Sequence, residues 1–218
     1  KIHKKHLFEF PIISALKTRM IDKLYISTDC PTIKKVSSKY KPEIIYRPKK
    51  IQNPNTLTED VLKHAHHYIV KKEGGIKNIE FYLLLYANGG FLNPSLLKKG
   101  ISKLRKNKKF DSCVGLVNAD MFTPIRAKII NKKNEIKPFI NLKYFKNITS
   151  NRDSAGSAYF MDLSVQIIKP YCFEKMNGNQ KPFLWLGNKI LPLKKEFGGD
   201  IDAKWQFTLL QDWLYKNF

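Results

Sequence analysis

Apolar residues fall along this chain in two alternating rhythms. Short apolar runs bounded by Gly, Pro or charged residues read as strands. Apolar positions recurring every three or four residues read as helices. Pro11 sits at a helical start with Ile12, Ile13 and Leu16 behind it, and residues 22–26 form a strand ending at Ser27-Thr28-Asp29-Cys30. Pro31 then opens a helix carrying Ile33, Val36 and Tyr40 on one face, and the strand Glu43-Ile44-Ile45-Tyr46 ends at Arg47-Pro48. Two strand–helix alternations within the first quarter of the chain are the grammar of βαβ units.

The same reading continues beyond a polar loop over 49–56. Thr58 is placed to cap a helix whose first turn holds Glu59 and Asp60 and whose apolar side holds Val61, Leu62, Ala65, His66 and Ile69. That helix breaks at Glu73-Gly74-Gly75. The unbroken run Phe81–Leu85 suits a strand buried on both faces, as in a parallel sheet. It leads into Tyr86-Ala87-Asn88-Gly89-Gly90 and then a helix over Pro94–Leu104, so a binding site is expected beyond the carboxyl end of this strand. Asp111–Val117 is another strand. Residues 121–150 form a β-rich excursion with pieces at 127–130 and 137–140 joined by a turn over 131–135. Gly156–Met161 returns as a strand, 165–170 is short, and Pro192 marks 190–193 as an edge strand. A tight loop at Gly198-Gly199-Asp200-Ile201-Asp202 opens a last helix with a broad apolar face of Trp205, Phe207, Leu209, Leu210 and Trp213. The whole of 1–218 reads as a single α/β domain.

Charge widens the picture. Forty Lys and Arg against 18 Asp and Glu leave a net +22. Such an excess suits a polyanionic partner. Its lysine pairs, however, recur evenly along the chain, and Lys outnumbers Arg, which argues for background composition over a nucleic-acid face. No apolar run approaches the roughly 20 residues that span a bilayer, and no signal-peptide pattern opens the sequence. The widely separated Cys30, Cys113 and Cys172 fit reduced residues of a cytoplasmic protein.

Candidate chemistry concentrates at Asp200 and Asp202. Side chains two apart in extended backbone point to one side, and paired carboxylates suit Mg²⁺, which shares phosphate oxygens with a substrate. The alternative is that Asp202 caps the last helix while Asp200 faces water. Asp29 either serves a metal or nucleotide or caps the helix at Pro31. Arg47, at a strand end, either bonds a base or phosphate or forms a surface ion pair. Arg152 and Ser154 belong to a small, polar stretch fit to line a pocket for an anionic substrate, or to an ordinary connector. His64 and His67 share a helix without other ligands at zinc spacing. Neither a dinucleotide-binding nor a Walker A glycine pattern is present. Trp185, Trp205 and Trp213 read as packing residues.

Together these pieces resemble the cytidylyltransferases that activate nine-carbon acidic sugars, the CMP-acylneuraminate and CMP-pseudaminate synthetases. Tyr25-Ile26-Ser27-Thr28-Asp29 looks like that family's second strand, and Tyr46-Arg47-Pro48 like its arginine–proline step beside the cytosine. Residues 56–62 resemble a helix start that borders the base. Gly156-Ser157-Ala158-Tyr159-Phe160 looks like its Gly-x-x-Tyr strand, and Asp200-Ile201-Asp202 is similar to its Mg²⁺-binding pair. The resemblance implies a Rossmann-like, open, mostly parallel sheet of the nucleotidyltransferase type. It also implies CTP and an acidic or modified sugar as substrates, and a homodimer or lid made by the 121–150 excursion. Arg47, Thr58 and Asp29 would then serve the nucleotide, Tyr86, Asn88, Arg152 and Ser154 the sugar, and Asp200 and Asp202 the metal.

The chain departs from the family in four ways. The family opens with a strand and glycine-rich loop that cradles the triphosphate. The sequence begins past that element, leaving Lys4 and Lys5 as the basic approach. Tyr86-Ala87-Asn88-Gly89-Gly90 replaces a Pro- and Thr-rich run, Pro54 stands where an aspartate is usual, and Ala155 replaces an asparagine. A non-catalytic relative that binds a nucleotide, sugar phosphate or protein, and a basic nucleic-acid-binding domain, are the competing readings.

Overall fold

The computed structural model describes residues 2–53, 55–145, 148–151, 154 and 156–217. Its first unit is the expected βαβ. Strand β1 (Tyr25–Ser27) pairs in parallel with β2 (Glu43–Ile45), Ile26 opposite Ile44, and helix α2 (Pro31–Ser37) lies in the crossover. Helix α1 (Glu9–Lys17) precedes it. It begins two residues before Pro11, whose missing N–H costs nothing in a first turn. Glu9 is 1% exposed, yet fully answered. It accepts hydrogen bonds from the His6 amide and the Tyr40 hydroxyl at 2.7 Å each and pairs with Lys39. A single carboxylate thus binds α1 to the end of the α2 crossover.

Helix α3 (Thr58–Lys72) follows, with Leu62 and His66 buried. Its N-cap is Leu57, which has no side-chain bond, so Thr58 is the first helical residue and not the cap. Next come β3 (Tyr82–Leu84), α4 (Pro94–Lys106) and β4 (Ser112–Asn118). Asn93 caps α4 by accepting from the Leu96 amide at 2.9 Å. The excursion forms a separate antiparallel hairpin of β5 (Lys128–Ile130) and β6 (Ile136–Pro138). Then β7 (Tyr159–Ile168), the short α5 (Tyr171–Lys175), β8 (Ile190–Lys195) and α6 (Gln206–Asn217) complete the order.

Four strands form one open sheet in the order β3-β7-β4-β8. β4 and β8 are parallel, and β7 runs against both β3 and β4, so three of the four strands share a direction. Pro192 lies on β8, which among the described residues pairs with β4 alone and is an edge as expected. β3 packs on both faces as expected, Leu83 on one side and Tyr82 and Leu84 on the other, but it is only half-buried, and among the described residues one of its edges has no strand partner.

β7 also corrects the sequence reading, which divides it into two pieces. It is one strand with a bulge, where Leu163 takes φ 54° and the register with β4 shifts between Val114 and Leu116. The polar Asp162 and Ser164 at the bulge break the apolar rhythm without ending the strand.

Two clusters fill the sheet's flanks, one around Leu97, Ile101, Leu104, Val165 and Ile167, the other around Leu62, Val114, Ile168, Phe173 and Trp185. A third gathers Ile2, Phe10, Phe91, Ile201, Leu210 and Leu214. α6 is narrower in its burial than its sequence suggests. Leu210 and Leu214, one turn apart, face the core, while Trp205 is 66% exposed and Phe207 and Leu209 are also exposed. All three cysteines are free thiols, and among the described residues no helix is long and apolar enough to cross a membrane.

Candidate active site

The loops that leave the carboxyl ends of β3 and β8 are stitched together. Gly89 and Asp200 form an antiparallel bridge, and the Ile201 amide donates to the Asn88 carbonyl at 3.1 Å. The Asn88 side-chain amide donates to Asp202 Oδ1 at 3.0 Å. Close approach explains the glycines. A Cβ on Gly90 would lie 2.5 Å from Leu210 Cδ2, so any larger residue would have to push aside a fully buried leucine of α6. The tripeptide Asp200–Asp202 is thereby held as a short strand-like segment, with both carboxylates at the ligand-facing end of the sheet.

The first residue of α6 ties this loop down: the Gln206 side-chain oxygen accepts from the Asp202 amide at 2.7 Å and from the Ala203 amide. Asp200 is the more unusual carboxylate. Its Oδ1 is buried and has no hydrogen-bond partner. Burial first, then the Asp202 and Asp162 charges, push its pKa up, against the pull of Lys195. A buried acceptor left unanswered is costly, and a cation is the natural complement to it. Among the described residues no group of three or more His, Cys, Asp or Glu could hold a metal. Two carboxylates are nonetheless what Mg²⁺ takes when substrate phosphates and water complete its shell. The residues present fit that ion.

Beneath the acidic loop lies a charged pair that the sequence reading does not single out. The ammonium of Lys195 contacts Asp162 Oδ2, Ser164 Oγ and, at 2.8 Å, the Phe91 carbonyl. The two charged side chains are only 5% and 4% exposed. The signal, a carboxylate inside β7 and a lysine ending the edge strand β8 on the far side of β4, is hidden by the even spacing of lysine pairs.

A second group sits on β1, β2 and α3. Arg47 Nη2 donates to the Ser27 carbonyl at 2.7 Å and Nε to Ser27 Oγ at 3.0 Å, while Nη1 lies 3.7 Å from Asp29. Asp29 therefore serves Arg47 and leaves α2 uncapped; the α2 N-cap is Cys30, without a side-chain bond. Thr58 is exposed at the positive end of α3. Nearby, burial and then the Arg47 charge lower the pKa of His64, whose Nδ1 is buried without a partner, as is Thr56 Oγ1. Tyr86 bridges the two groups. Burial chiefly, with Asp200 and Glu59 adding, raises its hydroxyl pKa against a hydrogen bond from Gln166.

The remaining expected residues divide. Lys4 and Lys5 belong to a tight turn in which Ile2 and Lys5 exchange both backbone hydrogen bonds at 2.9 Å. Ile2 packs in the cluster that contains Phe91 and Ile201, so this turn borders the acidic loop. Ser154 spends its hydroxyl locally, donating to the Asn151 carbonyl at 2.7 Å and accepting from the Thr149 amide. Arg152, Ala155 and Pro54 lie outside the described residues.

A family model described as cytidylyltransferase matches residues 1–167. This chain belongs to the cytidylyltransferase family. The match spans β1 to most of β7 and stops before β8, so Asp200 and Asp202 lie beyond it. The fold of this family member is also similar to a solved structure of CMP:2-keto-3-deoxy-manno-octonic acid synthetase complexed with CTP. The TM-score is 0.67 at 12% identity, over 99% of this chain and 90% of that one. No curated protein matches the chain.

Proposed function

We propose that the protein transfers CMP from CTP to the hydroxyl of an acidic or otherwise modified sugar, releasing pyrophosphate. Family membership and the likeness to a CTP-bound sugar-activating synthetase support the nucleotide. The observation that carries the catalytic reading is the orphaned, buried Oδ1 of Asp200 beside Asp202, at the carboxyl ends of the strands. These two carboxylates would hold Mg²⁺, whose charge lowers the cost of charge developing on the α-phosphate.

In the reaction, the sugar hydroxyl oxygen forms a bond to the α-phosphorus. The bond from that phosphorus to the pyrophosphate oxygen breaks, and the hydroxyl proton leaves to solvent. The chain's own part is orientation. Arg47, braced by Ser27 and Asp29, and Thr58 at the α3 N-terminus border the base. Lys4 and Lys5 approach the phosphates, while Tyr86 and Asn88 face the sugar. The exposed hairpin of β5 and β6, with Ile130 72% and Ile136 70% exposed, provides the apolar surface for a second copy.

The test is calorimetric titration with CTP, ATP, UTP and GTP, each with Mg²⁺ and with EDTA. Selective CTP binding strengthened by Mg²⁺, and lost to that effect in Asp200→Asn and Asp202→Asn, is expected. Equal binding of all four, or none, would overturn the reading.

A further inference from the structure

The Asp162–Lys195 pair is too buried and too well connected to be a surface ion pair, and no step of the proposed reaction uses it. Its geometry says what it does. The bulge at Leu163, with φ 54°, puts both Asp162 and Ser164 within reach of the Lys195 ammonium. That ammonium also takes the Phe91 carbonyl, on the loop after β3. Asp162 Oδ2 in turn accepts from the Gly199 amide at 3.3 Å, on the loop after β8. One salt bridge therefore grips both of the loops that carry the acidic segment, one through each partner. The grip is tight. A Cβ on Gly198 would overlap Asp162 Oδ2 and come within 2.6 Å of Val117 Cγ2 and 2.8 Å of Lys195 Cε.

We propose that Lys195 and Asp162 are positioning residues for the metal-binding pair, holding the 88–91 and 198–200 loops at the separation at which Asp200 and Asp202 can share one divalent cation. The inference rests on the reading of Asp200 and Asp202 as ligands. It runs against simple electrostatics. A lysine beside a cation site repels the cation, so deleting its charge should tighten binding if charge were all that mattered. As a positioning residue its deletion should loosen binding instead.

The test compares wild type, Lys195→Met, Ser164→Ala and Gly198→Ala by calorimetric CTP titration in Mg²⁺ and in EDTA, reading the ratio of the two affinities. Gly198→Ala is decisive because it removes no charge: its Cβ, 2.8 Å from Lys195 Cε and overlapping Asp162 Oδ2, must push the loop and the pair apart. Circular dichroism checks that each variant is folded, and Gly198→Ala and Ser164→Ala stand in should Lys195→Met not fold. The expected result is that the Mg²⁺ enhancement falls at least tenfold in Gly198→Ala and Lys195→Met, with CTP affinity in EDTA unchanged. General damage would lower the EDTA affinity as well, and that result would overturn the proposal. So would an enhancement unchanged or larger in the folded variants while wild type shows one. If wild type shows no Mg²⁺ enhancement, the ligand assignment itself has failed, and this inference falls with it.

Discussion

Asp200 is where function and stability pull apart. At neutral pH its burial beside Asp202 and Asp162 holds a charge that the fold alone would rather lose, as the upward shift of its pKa says. Replacing it should therefore help the metal-free protein and harm the loaded one. Asp200→Asn is expected to raise the melting temperature in EDTA by a few degrees. The same variant should lose the increase that Mg²⁺ with CTP gives wild type, and to lower transfer activity by about 100-fold or more. Scanning calorimetry with and without the ion reads the first two, and pyrophosphate release the third. Arg47 makes a second residue-scale prediction. Its fork is already engaged by Ser27 and Asp29, and a lysine cannot reproduce two directed donors. Arg47→Lys should weaken CTP binding by about tenfold, in Mg²⁺ and EDTA alike, the loss expected for one charge-assisted hydrogen bond.

At the scale of elements, α1 is held to the α2 crossover by Glu9. Burial alone would raise the pKa of this carboxylate, but Lys39, the His6 amide and the Tyr40 hydroxyl outweigh it and lower it to about 2. Because the folded value is depressed, the contribution to stability is full above the unfolded value near 4.5 and is lost as pH falls toward 2. Urea unfolding across that window should show wild type losing its advantage over Glu9→Gln, and no convergence would refute the role. Much at this scale is legible beforehand. The β1–α2–β2 unit, α3, α4, the β5–β6 hairpin and the edge position of β8 follow from periodicity, Pro placement and turn residues. What escapes is whatever depends on neighbours distant in sequence. The half-burial of β3 depends on which strand lies beside it, and the unity of β7 depends on a lysine answering its polar bulge. The cap at Asp29 fails because Arg47 pairs with its carboxylate, and the cap at Thr58 because α3 starts one residue early, with Leu57 at the N-cap. Of the candidate site, Asp200, Asp202, Asn88 and Arg47 could be named from residue type and position at strand ends. Asp162, Ser164 and Lys195 could not, because each looks ordinary alone.

For the whole molecule, the hairpin is the feature that one copy does not explain. All six residues of β5 and β6 are exposed, with Phe139 beyond them 65% exposed. Ile130→Asp with Ile136→Asp is expected to convert a dimer to monomer in sedimentation velocity, with the fold intact by circular dichroism; a wild-type monomer at micromolar concentration would overturn the assignment. The two halves of the site also differ in how far the chain must travel to make them. Arg47 and Ser27 are 20 residues apart, whereas Asn88 and Asp202 are 114 apart and Lys195 and Phe91 are 104 apart. Contacts of long sequence separation form late, since the loop they close must first lose its freedom. The group around Arg47 should therefore be assembled while the acidic side is still open chain. A ribosome would present the Arg47 group first and the acidic loop well after it, so that the site is built in two steps.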